Sequence, residues 1–362
     1  MKYCWRCIYP ETKPNLWFDE TGLCSACFAY GQRATIDWKQ REQEFRDKFP
    51  PGTRVVVACS GGKDSHFIII RCREFGLRPL AVTASTDHLS DIGRRNLDNI
   101  ANLCDHIEVT PNKALRRKMA KYALQTVGDI SWCEHVLIWS IPASIAETHK
   151  IDHVFYGENP QNEYGSGPRE SQLQAAMDSN WEYEFGGMLG LRVGDMREQF
   201  PDGDFDWYAM PWHCRTYPLP ARHFLGHYFP WDGAENAKVA EWHGFERYHS
   251  WVEGSACDYE NLDNYQTGIH DYFRYIKYGY GRATDILCNQ IRRGQITRDK
   301  AILIASGRDG KVPITYLGKN LHEILKNIDM SNDEFLECVH KFTNRELFDL
   351  RGTWPLPKFE VM

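Results

Sequence analysis

One junction near residue 60 constrains this chain more than any other feature. Residues 53–59, TRVVVAC, form a short apolar run rich in β-branched side chains, which reads as a buried strand. Ser60-Gly61-Gly62-Lys63-Asp64-Ser65 follows directly, and HFIIIRCREFG then keeps helical spacing up to Gly76. A strand, a glycine-rich turn and a helix together aim free backbone N–H groups at an anion. The glycines let the backbone approach phosphate closely, Ser60 and Ser65 add hydroxyl donors, and Lys63 adds a mobile positive charge. The spacing is neither the GxxxxGK[ST] of a Walker loop nor GxGxxG. The plainer alternative is a structural turn.

The segments that follow alternate. PLAVTAS (79–85) reads as a second strand, GRRNLDNIANLC (93–104) as a helix and HIEVT (106–110) as a third strand. Helical stretches over about 112–127 and 131–149 precede a fourth strand, IDHVFYG (151–157). This alternation predicts an α/β fold with a doubly wound parallel sheet and a ligand beyond the carboxyl ends of the strands. Ala84, Ser85, Thr86 and Asp87 end the second strand, where a nucleoside is expected. Gly157-Glu158-Asn159-Pro160-Gln161-Asn162-Glu163-Tyr164-Gly165 ends the fourth.

Composition sets limits around this. The 362 residues suggest two or three domains. Lys plus Arg is 43 against 49 Asp plus Glu, a net charge of −6, which argues against general nucleic-acid binding. No run approaches the roughly 18–20 apolar residues of a membrane span, and MKYCWRC is not of signal-peptide type. The expectation is a cytoplasmic protein without membrane insertion. Four of the 12 cysteines form two pairs, Cys4-Trp-Arg-Cys7 and Cys24-Ser-Ala-Cys27. That spacing suits a tetrahedral zinc ribbon, with Asp19-Glu20-Thr21-Gly22 as the turn between its strands. Four thiolates leave no open position, so such a Zn2+ is structural. Four unrelated thiols are the alternative.

SGGKDS after VVVAC resembles the PP-loop of the ATP pyrophosphatases, whose signature is SGGxDS. The resemblance implies that ATP is cleaved between its α- and β-phosphates, with pyrophosphate gripped by Ser60, Gly61, Gly62, Lys63, Asp64 and Ser65. Lys63 would stabilise the departing pyrophosphate, Asp64 could support Mg2+, and Ala84, Ser85 and Gly157 would line the nucleotide site. Within that superfamily, GENPQNEYG is similar to the N-acetyl sugar amidotransferases of the WbpG/PseA type. The cysteine pairs, GRRNLDNI, HYFPWDGAENAKVAEWHGF (227–245) and HDYFRYIKYGYGRATDILCNQIRRGQITRDKAI (270–302) agree. The likeness runs to about residue 302 and is loose beyond it.

This second resemblance implies that a sugar N-acetyl group becomes acetamidino, in O-antigen, surface-polysaccharide or nonulosonic-acid biosynthesis. The amide oxygen is adenylylated and ammonia displaces AMP. The acceptor implied is a nucleotide-linked or free N-acetylated sugar acid. The partners implied are a HisH-like glutaminase and a HisF-like ammonia-channelling subunit, since no G-x-C-x-G elbow is present. Glu158 and Asn159 are cast at the reacting amide, Glu158 as a proton acceptor or magnesium ligand, or else as a satisfied strand-end carboxylate. Glu163 is a further substrate candidate. Arg274, Lys277, Arg282, Arg292 and Arg293 form a basic helical stretch that could hold an acidic sugar or could be solvated; Arg282 and Lys277 are the preferred contacts.

Other readings stay open. Cys133, at a helix start, could carry sulfur in a PP-loop tRNA sulfur transferase or could be a buried structural thiol. A non-catalytic scaffold is the third reading. The organisation expected is a ribbon over 1–30 and a linker helix over 31–50. The nucleotide domain follows over 51–250 with an insertion at about 166–222, then a mainly helical region over 251–362.

Overall fold

Val55, Val56 and Val57 are each fully buried, yet they serve two different cores. Val55 and Val57 pack with Phe45, Phe67, Ile69 and Phe155, while Val56 packs with Val82, Met119, Val136 and Val154. A strand whose alternating side chains are all buried has helices on both faces, as parallel sheets require. The computed structural model describes residues 1–157, 159–168, 175–177, 186–209 and 219–360. Glu158 lies outside the described residues.

The sheet has six strands in the order β3-β2-β1-β4-β6-β5. These are β1 (Arg54–Ala58), β2 (Arg78–Ala84), β3 (Asp105–Val109), β4 (His153–Tyr156), β5 (Ala176–Met177) and β6 (Ala221–Phe224). All neighbours are parallel except β5, which runs antiparallel to β6. The seven helices that surround or precede β1–β4 are α1 (Ser25–Gln32), α2 (Trp38–Lys48), α3 (Lys63–Glu74), α4 (Asp91–Leu103), α5 (Lys113–Val127), α6 (Trp132–Thr148) and α7 (Pro160–Tyr164). The chain leaves β1 toward β2 on one side and returns to β4 on the other, so the ligand crevice expected at a switch point opens beyond β1 and β4.

β5 and the first two residues of β6 fall inside the stretch expected to be an insertion. Two of the four β6 residues are the buried polar side chains Arg222 and His223, and His223 Nε2 lies 3.3 Å from His153 Nδ1. Polar groups buried against polar neighbours erase the apolar run by which a strand is read.

The C-terminal region is mainly helical, with helices Thr267–Tyr278, Arg282–Arg292, Arg298–Arg308, Leu321–Asn327 and Asn332–Phe342. Its core, with Phe273, Ile276, Leu325, Phe335 and Val339, also takes in Ala120 and Leu124 of α5. The region is therefore packed onto the nucleotide half rather than tethered to it. No described helix is long and apolar enough to cross a membrane.

Candidate active site

The glycine loop connects β1 directly to α3. Gly61 has φ +79°, and a Cβ there would sit 2.8 Å from Cγ of Leu97 on α4, so the loop is glycine by conformation and by contact. The Ser60 amide donates to Ser65 Oγ at 3.1 Å and the Gly62 amide to Ser60 Oγ at 3.4 Å, folding the turn onto the helix start. A helix N-terminus framed this way suits phosphate. Lys63 is buried, and its Nζ donates to Asp64 Oδ2 at 2.7 Å and lies 3.3 Å from Glu260 Oε1. Asn236 Nδ2 donates to the other Asp64 oxygen at 3.0 Å.

Two cavities meet at this loop. The first, of about 330 Å³, runs along the ends of β1, β2 and β4, with aliphatic walls from Ile68, Val82, Leu89, Leu137 and Ile138. Ala84, Ser85 and Gly157 lie in its lining, together with Thr86, Arg116, Glu134 and Asn264. Ser85 Oγ donates to Glu108 Oε1 at 2.8 Å. Thr86 Oγ1 accepts from Arg116 at 3.0 Å and from Asn264 Nδ2 at 2.8 Å, while Arg116 also pairs with Glu134 and Asp87. An apolar slot with one polar end suits a nucleoside. Arg116, Glu134 and Asn264 went unread in the sequence, because no local pattern links three residues from three separate segments.

The second cavity, of about 210 Å³, lies between the loop and the C-terminal helices and is polar. Arg282 lines it, held by two hydrogen bonds to Asp271 at 3.1 and 3.2 Å. Glu163 lines it too, buried and paired with Arg33 at 2.8 Å and Arg293 at 3.1 Å. Arg293 further bonds the Trp231 carbonyl at 2.9 Å. Glu163 is thus a tie between segments as well as a wall residue. Lys277 is not in either lining: its Nζ donates to the carbonyls of Val127 and Gly128 at the end of α5. Asn159 is also absent from both linings, and its Oδ1 caps α7 through the Gln161 amide at 3.0 Å. Asp232, Glu260 and Asp263 line the cavity without having been singled out in the sequence.

The four ribbon cysteines are fully buried, and their sulfurs lie within 4.8 Å of one another, with Cys7–Cys24 at 3.6 Å and Cys4–Cys27 at 3.9 Å. The Cys24 amide donates to Cys4 Sγ at 3.3 Å, as a thiolate ligand accepts. Four converging thiols with an amide donor fit Zn2+, which would cross-link the two turns. The ribbon is docked. Tyr9 Oη donates to Asp285 Oδ1 at 2.9 Å, Ser25 Oγ to the Gly165 carbonyl at 2.6 Å, and Arg298 to the Cys7 carbonyl at 3.2 Å. It therefore supports both α7 and the helix carrying Arg282.

Cys133 is fully buried at the start of α6, and burial pushes its thiol up to about 12. A neutral, enclosed thiol is poorly suited to carrying sulfur. A buried clasp lies near it in the sequence. Asp129 takes His270 Nδ1 at 2.8 Å on one oxygen and His135 Nδ1 at 3.1 Å on the other, joining α6 to Thr267–Tyr278.

Residues 244–359 match the family model described as LPS biosynthesis protein WbpG-like, C-terminal domain. Over this stretch the chain is similar to the WbpG type. Its WbpG-like domain supplies Glu260, Asp263, Arg282 and Arg293, a large part of the polar cavity wall. The match, joined to the phosphate loop on a parallel sheet, supports an ATP-dependent enzyme. No curated protein matches the chain. Among solved structures, NMN synthetase from Francisella tularensis is similar at 17% identity over 44% of this chain and 74% of that one, with a TM-score of 0.29. That likeness adds nothing to the fold read from the sheet itself.

Proposed function

We propose that this chain converts an N-acetyl group on a sugar into an acetamidino group at the expense of ATP. What supports the reading is one arrangement: the phosphate loop opens at once onto an apolar nucleoside-sized cavity and onto a polar cavity walled by the WbpG-like domain. An amide carbon is a poor electrophile and its oxygen a poor leaving group. The amide oxygen attacks the α-phosphorus, the bond to the bridging oxygen breaks, and pyrophosphate leaves. Ammonia then adds to the activated carbon, and AMP departs with the former amide oxygen.

The residues divide accordingly. Loop amides and Lys63 face the phosphates, and Asp64 is the oxygen ligand that would hold Mg2+. The polar wall carries five carboxylates, Asp64, Glu163, Asp232, Glu260 and Asp263, against three cations, Lys63, Arg282 and Arg293. A polyphosphate entering there needs a divalent cation with it. Arg282, fixed by Asp271, is positioned to contact the sugar. Ammonia would come from a separate HisH-like glutaminase through a HisF-like subunit, and the setting would be bacterial surface-polysaccharide or nonulosonic-acid biosynthesis.

Product analysis tests this. The protein is incubated with ATP, Mg2+, ammonium chloride and a panel of free and nucleotide-linked N-acetylated sugars. The expected result is a sugar lighter by the difference between O and NH, formed together with AMP and pyrophosphate. ATP cleavage that responds to tRNA and to none of the sugars would replace this reading with sulfur transfer.

A further inference from the structure

The two cavities share three wall residues among those described: Ser60, Asp64 and Asp263. If the nucleoside occupies one cavity and the acceptor the other, the reacting carbon lies where these three residues meet. Two of them belong to the phosphate loop and are engaged there. Ser60 Oγ accepts from the Gly62 amide, and the Asp64 carboxylate is held between Lys63 and Asn236. Asp263 arrives from the opposite side. Its carbonyl accepts from the Ser90 amide at 2.9 Å, which fixes the segment against the start of α4. A Cβ on Gly93 would lie 2.7 Å from its Cα, so the approach is close.

The carboxylates around the polar cavity differ in one respect. Glu163 is paired with Arg33 and Arg293, and Asp232 with Arg293. Asp64 and Glu260 both hold Lys63. A cation at hydrogen-bond range makes a carboxylate a weaker base. Asp263 has no ion-pair partner among the described residues. Amination needs such a group. When ammonia adds to the activated carbon, the new nitrogen carries a proton that must leave before the C–O bond to AMP breaks.

We propose that Asp263 is the base that takes this proton. The nitrogen lone pair forms the C–N bond, one N–H proton passes to an Asp263 oxygen, and AMP leaves as the amidinium forms. Burial also raises the Asp263 carboxyl, against the pull of Arg282, toward the range where a base works best near neutrality. The assignment rests on the amidotransfer reading and gives to Asp263 the proton-acceptor role that the sequence suggested for Glu158.

The test separates the two half-reactions in the full-length protein. Acceptor-dependent exchange of labelled pyrophosphate into ATP reports adenylylation, and amidine formation from ammonium chloride reports amination. Asp263→Asn is expected to keep exchange within about threefold and to lose amidine formation by about 100-fold or more. Asp263→Glu, which keeps a carboxylate, should recover part of it, and exchange itself reports that each variant is folded. Amidine formation by Asp263→Asn at the wild-type rate would overturn the assignment, as would equal loss of both half-reactions. A Glu158→Gln variant that alone shows the split would return the role to Glu158. A wild-type protein whose exchange no N-acetylated sugar stimulates would instead overturn the underlying reaction, and this role with it.

Discussion

The two cavities that meet at Asp64 are built on different principles. The nucleoside cavity uses strand ends and the loop that follows β1, and aliphatic side chains form much of its wall. The polar cavity gathers residues from Ser60 to Gln295, and each of its arginines is tied to a carboxylate before any ligand arrives. Paired arginines are rigid and partly neutralised. They select by geometry more than by net charge, and they depend on distant segments staying in place.

The ribbon provides the harshest test of that dependence. Its contacts reach Gly165 after α7 and Asp285 on the helix of Arg282, both on the polar side. Cys24→Ser is expected to lower zinc content measured by metal analysis and to cost about 4 kcal/mol or more in urea unfolding. Under partial chelation the acceptor KM should rise before ATP affinity falls. If both decline together, the polar side is no more dependent on the ribbon than the nucleotide side.

The loop tests the other principle. Gly61→Ala must place a methyl group at positive φ against Leu97. AMP formation should fall by on the order of 100-fold while zinc content is unchanged. A variant with near-normal turnover would mean that loop geometry is not what holds phosphate.

The same contrast explains what could be read beforehand. Val55 to Val57, the loop glycines and the ends of β2 and β4 were legible because strand, turn and helix signals are local. The cysteine pairs were legible because metal spacing is local too. Lys277 misled: in the sequence it is a cation beside tyrosines, and in the fold it is consumed by the carbonyls of Val127 and Gly128. Asn159 sits at the strand end as expected, but its side chain serves as a helix cap. Asp263 was missed because its importance lies in having no ion pair among the described residues, and a sequence does not show which carboxylates are paired.

Arg282→Lys sharpens the comparison at a smaller scale. Lysine keeps the charge but cannot make the two-pronged bond to Asp271, so the acceptor KM should rise by about tenfold while the ATP KM stays put. Equal shifts in both constants would indicate a general loosening of the C-terminal helices instead.

A pH-dependent effect concerns how that arginine's helix begins. Asp309 caps it, accepting from the Ala283 amide at 3.0 Å and from Thr284 Oγ1 at 2.6 Å, and burial pushes its carboxyl up to about 6. Below about pH 4 it is protonated in both folded and unfolded chains, and it places no pH-dependent cost on the fold. Between about pH 4 and 6 the unfolded chain gives up its proton while the folded one keeps it, so stability falls as pH rises. Above that window the cost is constant, at up to about 3 kcal/mol. Asp309→Asn keeps an acceptor for the Ala283 amide, and Thr284 can reverse its hydroxyl to accept from the new amide. Urea unfolding at both ends of the window should show the variant gaining on the wild type by up to about 3 kcal/mol as pH rises from 4 to 7. A difference that does not change with pH would mean that the cap is not buried enough to resist ionisation, and that charge on the polar side is held at less cost to stability than its paired arginines suggest.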